Sequence, residues 1–509
     1  MDVRRPRVVA FIALLFGSLA AGSLAAARKQ PDPGEERGFK FLSAADVARL
    51  FEHAADTSRF LTAAPGGFDA LAHRLRDRGN RPLVVVQYGD SHTQAGVLAR
   101  DLRDQLAGGG VTSPGFVAPG LHNLGDASCA TRGRWKRETW LKPGDEGSFG
   151  PLGMAFVTRD PHARAILRLP EPSSSGMTVT ALYSRAAGHL PFRISAGGRV
   201  LSQVAEEAPA GGAGAPILGS VRITLPDGTS ELELAIAPGP NTGHDLRLFG
   251  FLVQKPGAAV EWDALGVNGT SVEHPLQRAD RSLEEYLALR QPDLILVWFG
   301  SNSLVAPTFE PASYGRDYAA FLHRLAAAAP GAARLALGPP DLARRPPECP
   351  AWYGHGRRHL SQRDRALLPQ YICTPETAII HRPHHPDLYP VRSIHTAAEW
   401  ADYMARCSPQ TLPTVATATA AERDAAQAEG YAFFDTFAFM DGAGSIHRWA
   451  CQTPRLGAYD LVHLTADGYT TVAEGVWGAL PATIRSPALA SSDAVAAPSL
   501  VGKSALQPH

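Results

Sequence analysis

The chain has 509 residues, too many for one simple core, so two or three domains are expected. Lysine plus arginine and aspartate plus glutamate both number 49. That balance speaks against a basic nucleic-acid surface and a polybasic membrane anchor. The chain opens with Arg4, Arg5 and Arg7, an apolar stretch from Val8, and small residues from Ser23 to Ala27. This is the order of a secretory signal peptide, assigned to residues 1–27. Its alanines and glycines favour cleavage over retention as an anchor. No cysteine follows it to carry a lipid, and no later segment has transmembrane character. The working chain is therefore expected to be secreted or periplasmic in a bacterium, with no stable membrane span. Cys129, Cys349, Cys373, Cys407 and Cys451 form no CxxC pair. An oxidising compartment permits one or two disulfides among them, in unassigned pairs, with at least one cysteine left over.

Residues 43–80 carry a helical pattern that leads into an apolar run, Leu83 to Val86, the mark of a strand covered on both faces. Gly89 breaks this run, and Asp90, Ser91, His92 and Thr93 follow. Ala95, Leu98, Leu102 and Leu106 then repeat at helical spacing, so Ser91 stands between a strand and a helix. From about 150 to 255 the texture becomes β. "SVRITLPDGTSELELAIAP" alternates about Pro226-Asp227-Gly228 and predicts a hairpin. "ARAILRLP", "MTVTALYS" and "DLRLFGFLV" alternate likewise, which points to an inserted β-sandwich. The α/β texture returns with "DLILVWFG", a helix marked by Tyr318, Phe321, Leu322 and Leu325, the strands "RLALGPPD" and "YAFFD", and a last helix, "DGYTTVAEGVWGALP". Residues 343–425 read as an irregular insertion rich in Pro, His and Arg. Residues 486–509 read as a disordered tail.

Chemistry concentrates at the strand ends, where open α/β sheets bind ligands. The first strand ends in Gly89-Asp90-Ser91. "DALGVNGTS" brings Gly266, Asn268 and Gly269, "VWFGSNS" brings Gly300 and Asn302, and "YDLVHLTADGY" brings Asp460 and His463. A serine hydroxyl needs a base to take its proton, and a histidine held by a carboxylate is the usual answer. Asp460 and His463 are close enough in sequence for one turn to present both. Acyl transfer also needs donors aimed at the developing oxyanion. The backbone N–H groups of Ser91 and Gly269 and the amide of Asn302 could supply them.

Taken in order, "GDSH", "GVNGTS", "GSN" and "DLVH" resemble the four motif blocks of the SGNH (GDSL-type) hydrolases. The resemblance covers roughly 80–130, 260–342 and 430–482. It implies a flavodoxin-like α/β/α sandwich, split here into 40–145 and 258–485 by an all-β sandwich at 146–257. By position, Ser91 is then the nucleophile, His463 the base and Asp460 its carboxylate, with Ser91, Gly269 and Asn302 as the oxyanion hole. Gly269 is preferred to Gly266 because it sits in the "NGTS" turn. "GDSHTQ" and the β insertion look most like the exported peptidoglycan O-acetylesterase branch, whose inserted module resembles a carbohydrate-binding domain. The implied function is removal of O-acetyl groups from a polysaccharide, peptidoglycan above all, without cofactor or metal. Acetyl transfer by the same fold, or a non-catalytic carbohydrate-binding protein, are the alternatives. No substrate-binding residue is assigned.

The remaining polar residues have plainer readings. Asp90 is expected to brace the turn, and His92 to serve a structural or pocket role. Asp435, ending "YAFFD", is a rival triad carboxylate and is read instead as a buried partner of its turn. His381, His384 and His385 lack acidic or cysteine partners at helical spacing, so a solvated loop is favoured over a metal site. Trp352, Tyr353, Trp400 and Tyr403 either stack on sugars or pack the insertion.

Overall fold

The computed structural model describes residues 57–344 and 408–485, apart from breaks at 78, 80, 122–125, 208–216, 239–243, 278–279 and 307, together with Cys373 and Arg406. The leader, the tail, the histidine-rich stretch and the four aromatic residues of the insertion lie outside the described residues.

Seven strands form the main sheet. In spatial order they are Leu61–Thr62, Ala432–Phe434, Ala333–Leu337, Leu294–Trp298, Leu83–Gly89, Val260–Gly266 and Thr112–Ser113. All neighbours are parallel except the Leu61–Thr62 edge. The five central strands, counted in chain order, run 2-1-3-4-5, the flavodoxin-like winding. Leu83–Gly89 is buried at every position, as a doubly covered strand must be. The order reverses between Leu83–Gly89 and Leu294–Trp298, the switch point at whose carboxyl ends such sheets place their ligand crevice. Ser91 and Asn302 follow those two strands directly.

The β insertion is a sandwich of two antiparallel sheets. One contains Arg199–Val204, Phe192–Ala196, Glu231–Ile236, Arg164–Arg168 and Ser128–Arg132. The other contains Leu218–Thr224, Thr178–Ser184, Leu246–Gln254, Met154–Thr158 and Lys136–Thr139, with Gly115–Val117 also paired to Leu246–Gln254. Leu167, Val179, Phe192, Leu234 and Leu248 fill the space between them. The predicted hairpin at 220–238 is not one. Leu218–Thr224 pairs with Thr178–Ser184, and Glu231–Ile236 pairs in the opposite sheet. The Pro226-Asp227-Gly228 turn is an arch between sheets. Each strand turns one face to the same core, so alternation looks alike in a hairpin and an arch.

Two further expectations change. Pro65, Gly66 and Gly67 interrupt the 43–80 pattern: only Asp69–Arg76 is an α-helix among the described residues there, and Gly66 has φ 77°. Part of the stretch read as irregular is not: Thr414–Ala428 is a helix. Its inner face is Val415, Ala418, Thr419, Glu422 and Ala426, too small and polar for an apolar stripe to stand out. Cys373 and Cys451 form a disulfide, and Cys129 is a buried free thiol.

Candidate active site

Gly89 ends its strand where a side chain cannot fit. A Cβ there would lie 2.1 Å from Thr93 Oγ1 and 2.4 Å from the Trp298 carbonyl. The chain then turns into the short helix Ser91–Gln94, capped by Asp90, whose Oδ1 accepts from the His92 N–H at 2.9 Å. This turn leaves Ser91 half-buried at the crevice. Across it, Asp460 to His463 form one tight unit. Leu461 takes φ 57°, a strained value for a side chain with a Cβ. Asp460 Oδ1 accepts from the N–H groups of Val462 (3.1 Å) and His463 (2.9 Å). Its Oδ2 lies 2.8 Å from His463 Nδ1, and His463 Nε2 lies 2.8 Å from Ser91 Oγ. The three side chains thus form one hydrogen-bonded run. Burial works against the charge of Asp460. The His463 ring and the two backbone donors outweigh it and hold the carboxyl well below the usual range.

The other proposed oxyanion residues follow the carboxyl ends of the two strands that flank Leu83–Gly89. Gly269 has φ 86°, within a turn closed by the Thr270 N–H on the Val267 carbonyl at 3.1 Å. Gln94 ties this turn to the serine helix by accepting from the Asn268 N–H at 2.7 Å. Leu141, from the connection after Lys136–Thr139, would lie 4.0 Å from a Cβ at Gly269. Asn302 Nδ2 donates to the Thr270 carbonyl at 2.9 Å and lies 3.4 Å from Asp90 Oδ2. Gly266 belongs to the strand itself, packed too closely on Thr93 and Gln94 for a side chain. Gln94 ends the "GDSHTQ" run, but nothing in that run signals that its side chain would reach the Asn268 N–H.

His92 and Asp435 are placed away from the proton path. His92 is buried, with Nδ1 3.1 Å from Tyr469 Oη, and its ring centroid is 5.4 Å from that of His463. Burial, with the nearby His463, pushes its pKa down to about 3, so this ring stays neutral. Asp90 goes the other way: burial raises it to about 7 against the His92 backbone bond. Asp435 caps Thr436–Phe439 by accepting from the Ala438 N–H at 2.8 Å. Among the described residues no cluster of His, Cys, Asp and Glu could hold a metal ion. No helix among them is long and apolar enough to cross a membrane.

Residues 238–476 match the family model described as GDSL-like Lipase/Acylhydrolase. The chain carries a GDSL-type acylhydrolase domain. The match includes Gly269, Asn302, Asp460 and His463 but not Ser91, which the β insertion separates from them. A peptidoglycan O-acetylesterase structure is similar over 82% of this chain and 97% of its own, at 17% identity and a TM-score of 0.55. That likeness extends the shared fold over both parts of the acylhydrolase domain. An acetyl xylan esterase covers 44% of this chain and 81% of its own, at 12% identity and a TM-score of 0.23. A carbohydrate-binding module from Clostridium stercorarium, in complex with cellobiose, covers 25% and 86%, at 13% identity and 0.17. No curated protein matches the sequence.

Proposed function

We propose that this chain is an exported serine esterase that removes O-acetyl groups from a polysaccharide, peptidoglycan above all. The observation that carries this reading is the run from Ser91 Oγ through His463 to Asp460, with both links at 2.8 Å. Asp460 accepts the Nδ1 proton, which leaves the Nε2 lone pair facing the Ser91 hydroxyl. As Ser91 Oγ attacks the acetyl carbonyl, Nε2 takes its proton. Negative charge then builds on the carbonyl oxygen, and the N–H groups of Ser91 and Gly269 and the Asn302 amide receive it. His463 returns the proton to the departing sugar oxygen, leaving an acetyl-Ser91 ester. Water, deprotonated by His463, reverses these steps and releases acetate. A neutral His92 beside His463 adds no repulsion when the base becomes cationic.

The likeness to a peptidoglycan O-acetylesterase supports acetyl as the group removed, and the secretory pattern of the leader supports a wall polymer as the substrate. The test is acetate release from O-acetylated peptidoglycan and from acetylated xylan, with Ser91→Ala as the blank. Faster release from peptidoglycan is expected. Equal acetate from the wild type and the blank would end the esterase reading, and a preference for xylan would end the peptidoglycan one.

A further inference from the structure

The acyl-transfer steps leave several buried carboxyls unused, Glu422 among them. Glu422 projects from the helix Thr414–Ala428 and is fully buried. Its Oε1 accepts from Tyr314 Oη at 2.5 Å, while Oε2 has no hydrogen-bond partner among the described residues. Directly above lies Gly300. A Cβ at Gly300 would stand 2.7 Å from Glu422 Oε1, 3.1 Å from Pro339 Cβ and 3.4 Å from Tyr314 Oη, so the backbone lies close against this acid–phenol pair and Pro339. Gly300 has φ 125°, open to glycine alone, and caps the short helix Ser301–Leu304 that carries Asn302. One residue therefore separates the Glu422 contact from Asn302, whose amide donates to the Thr270 carbonyl and lies near Asp90.

We propose that Glu422 is a positioning residue for Asn302: with Tyr314 it forms a hydrogen-bonded floor under Gly300 that fixes where the Asn302 amide meets the oxyanion. The proposal rests on the reading of Asn302 as an oxyanion donor. Burial pushes the Glu422 carboxyl well above the usual range, and the nearby Asp90 charge adds to this while the Tyr314 bond opposes it. Glu422 therefore acts as a neutral acid, a bonding partner of defined shape. An apolar residue of similar volume would fill the space but leave the Tyr314 hydroxyl unpaired. Oxyanion donors work only when held in place beforehand, and a small misplacement is costly.

The experiment is steady-state hydrolysis of p-nitrophenyl acetate by the full chain carrying Glu422→Ala, Glu422→Gln, Tyr314→Phe, Asn302→Ala, or Glu422→Ala with Asn302→Ala. Loss of the carboxyl should lower kcat and kcat/KM together by about ten- to a hundredfold, with KM unchanged. Glu422→Gln keeps the shape and the acceptor for Tyr314, and should restore most of that turnover. On the Asn302→Ala background, Glu422→Ala should cost nothing more, because the residue acts through Asn302. Full turnover in Glu422→Ala, or an undiminished loss on the Asn302→Ala background, overturns the proposal. Should Glu422→Ala fail to fold, Tyr314→Phe, which frees the same carboxyl, takes its place in the cycle. Wild-type turnover in Asn302→Ala alone would instead remove the oxyanion reading itself.

Discussion

Ser91 is distinguished by what faces it across space, since its sequence neighbours Asp90 and His92 serve the turn and the core. Replacing Ser91 or His463 with Ala should each abolish nearly all esterase activity, because the residues act as a unit. Asp460→Asn should cost up to about ten thousandfold, by analogy with other triads. Asp435→Ala should leave kcat unchanged and cost about 1 kcal/mol of stability, the worth of a helix cap. A larger kinetic loss at Asp435 than at Asp460 would reverse that assignment. The motif residues were legible because a serine, an asparagine and an Asp–His pair stand close after the strand ends in a recognisable order. Glu422 was not, because nothing in a small-residue helix reveals that a glycine from another element rests on it. Asp90 and His92 make a further prediction, with opposite signs. In the unfolded chain a histidine titrates near about 6.5 and an aspartate near about 3.9. With His92 depressed to about 3, stability is full above pH ~6.5 and falls on acidification, because the unfolded state gains a proton that the folded state refuses. With Asp90 raised to about 7, the cost of its buried charge is full above pH 7 and is relieved on acidification. Between pH ~4 and ~6.5 the two slopes oppose. Relative to wild type, His92→Gln should gain stability as pH falls through this window and Asp90→Asn should lose it, each by up to about 1.4 kcal/mol per pH unit. Chemical denaturation at several pH values measures both, and parallel slopes would refute the assignment.

Elements were legible where one physical pattern dominates. Leu83–Gly89 and Leu294–Trp298 announce themselves as continuous apolar runs, and Ala466–Ala479 as a helix, although the short helix Ala482–Arg485, not it, is the last. The arch at 226–228 was misread because alternation reports one buried face and says nothing of the partner strand. What joins the elements is also hidden from sequence, because it pairs residues far apart. Arg290, at the end of Ser282–Arg290, donates through Nε to Asp263 Oδ2 at 2.6 Å and through Nη2 to Glu261 Oε2 at 2.9 Å. Asp263 also accepts from Tyr286 Oη at 2.8 Å and from the Phe116 N–H at 3.0 Å, and Glu261 accepts from Gln254 Nε2 at 3.0 Å. One buried network thus ties the main sheet, a covering helix and two sandwich strands. Removing its only guanidinium would leave two buried carboxylates without a counter-charge. Arg290→Ala should therefore destabilise the chain by about 3–5 kcal/mol, read from urea unfolding. A loss below about 1 kcal/mol would show that water or another cation takes its place.

At the scale of the molecule, the sandwich and the acylhydrolase domain share a core instead of meeting through a linker. Leu246–Gln254 is buried on both faces: Leu246, Leu248, Phe251 and Val253 point into the sandwich, while Phe249 and Leu252 pack with Val84, Val86 and Tyr88 of the main sheet. A register shift between Leu248 and Gly250 lets one strand serve both sides. The sandwich strands also begin at Gly115, before the β texture is legible, because Ser128–Arg132 and Lys136–Thr139 are short and polar, with only Cys129, Glu138 and Thr139 buried. Substitutions in the shared face would therefore disturb fold and site together and could not test recognition. A groove between the edge strands Arg199–Val204 and Leu218–Thr224 can, because its residues Arg199, Ser202, Arg222 and Thr224 belong to neither core. A module that holds the polymer lets contacts remote from the ester lower the barrier, a gain that p-nitrophenyl acetate cannot use. The double substitution Arg199→Ala with Arg222→Ala should lower kcat/KM on acetylated polymer by up to about tenfold, the equivalent of ~1.4 kcal/mol of binding, and spare the small ester. Equal losses on both substrates would mean that the sandwich only braces the active-site loops. No loss on either would move the polymer contacts to another face.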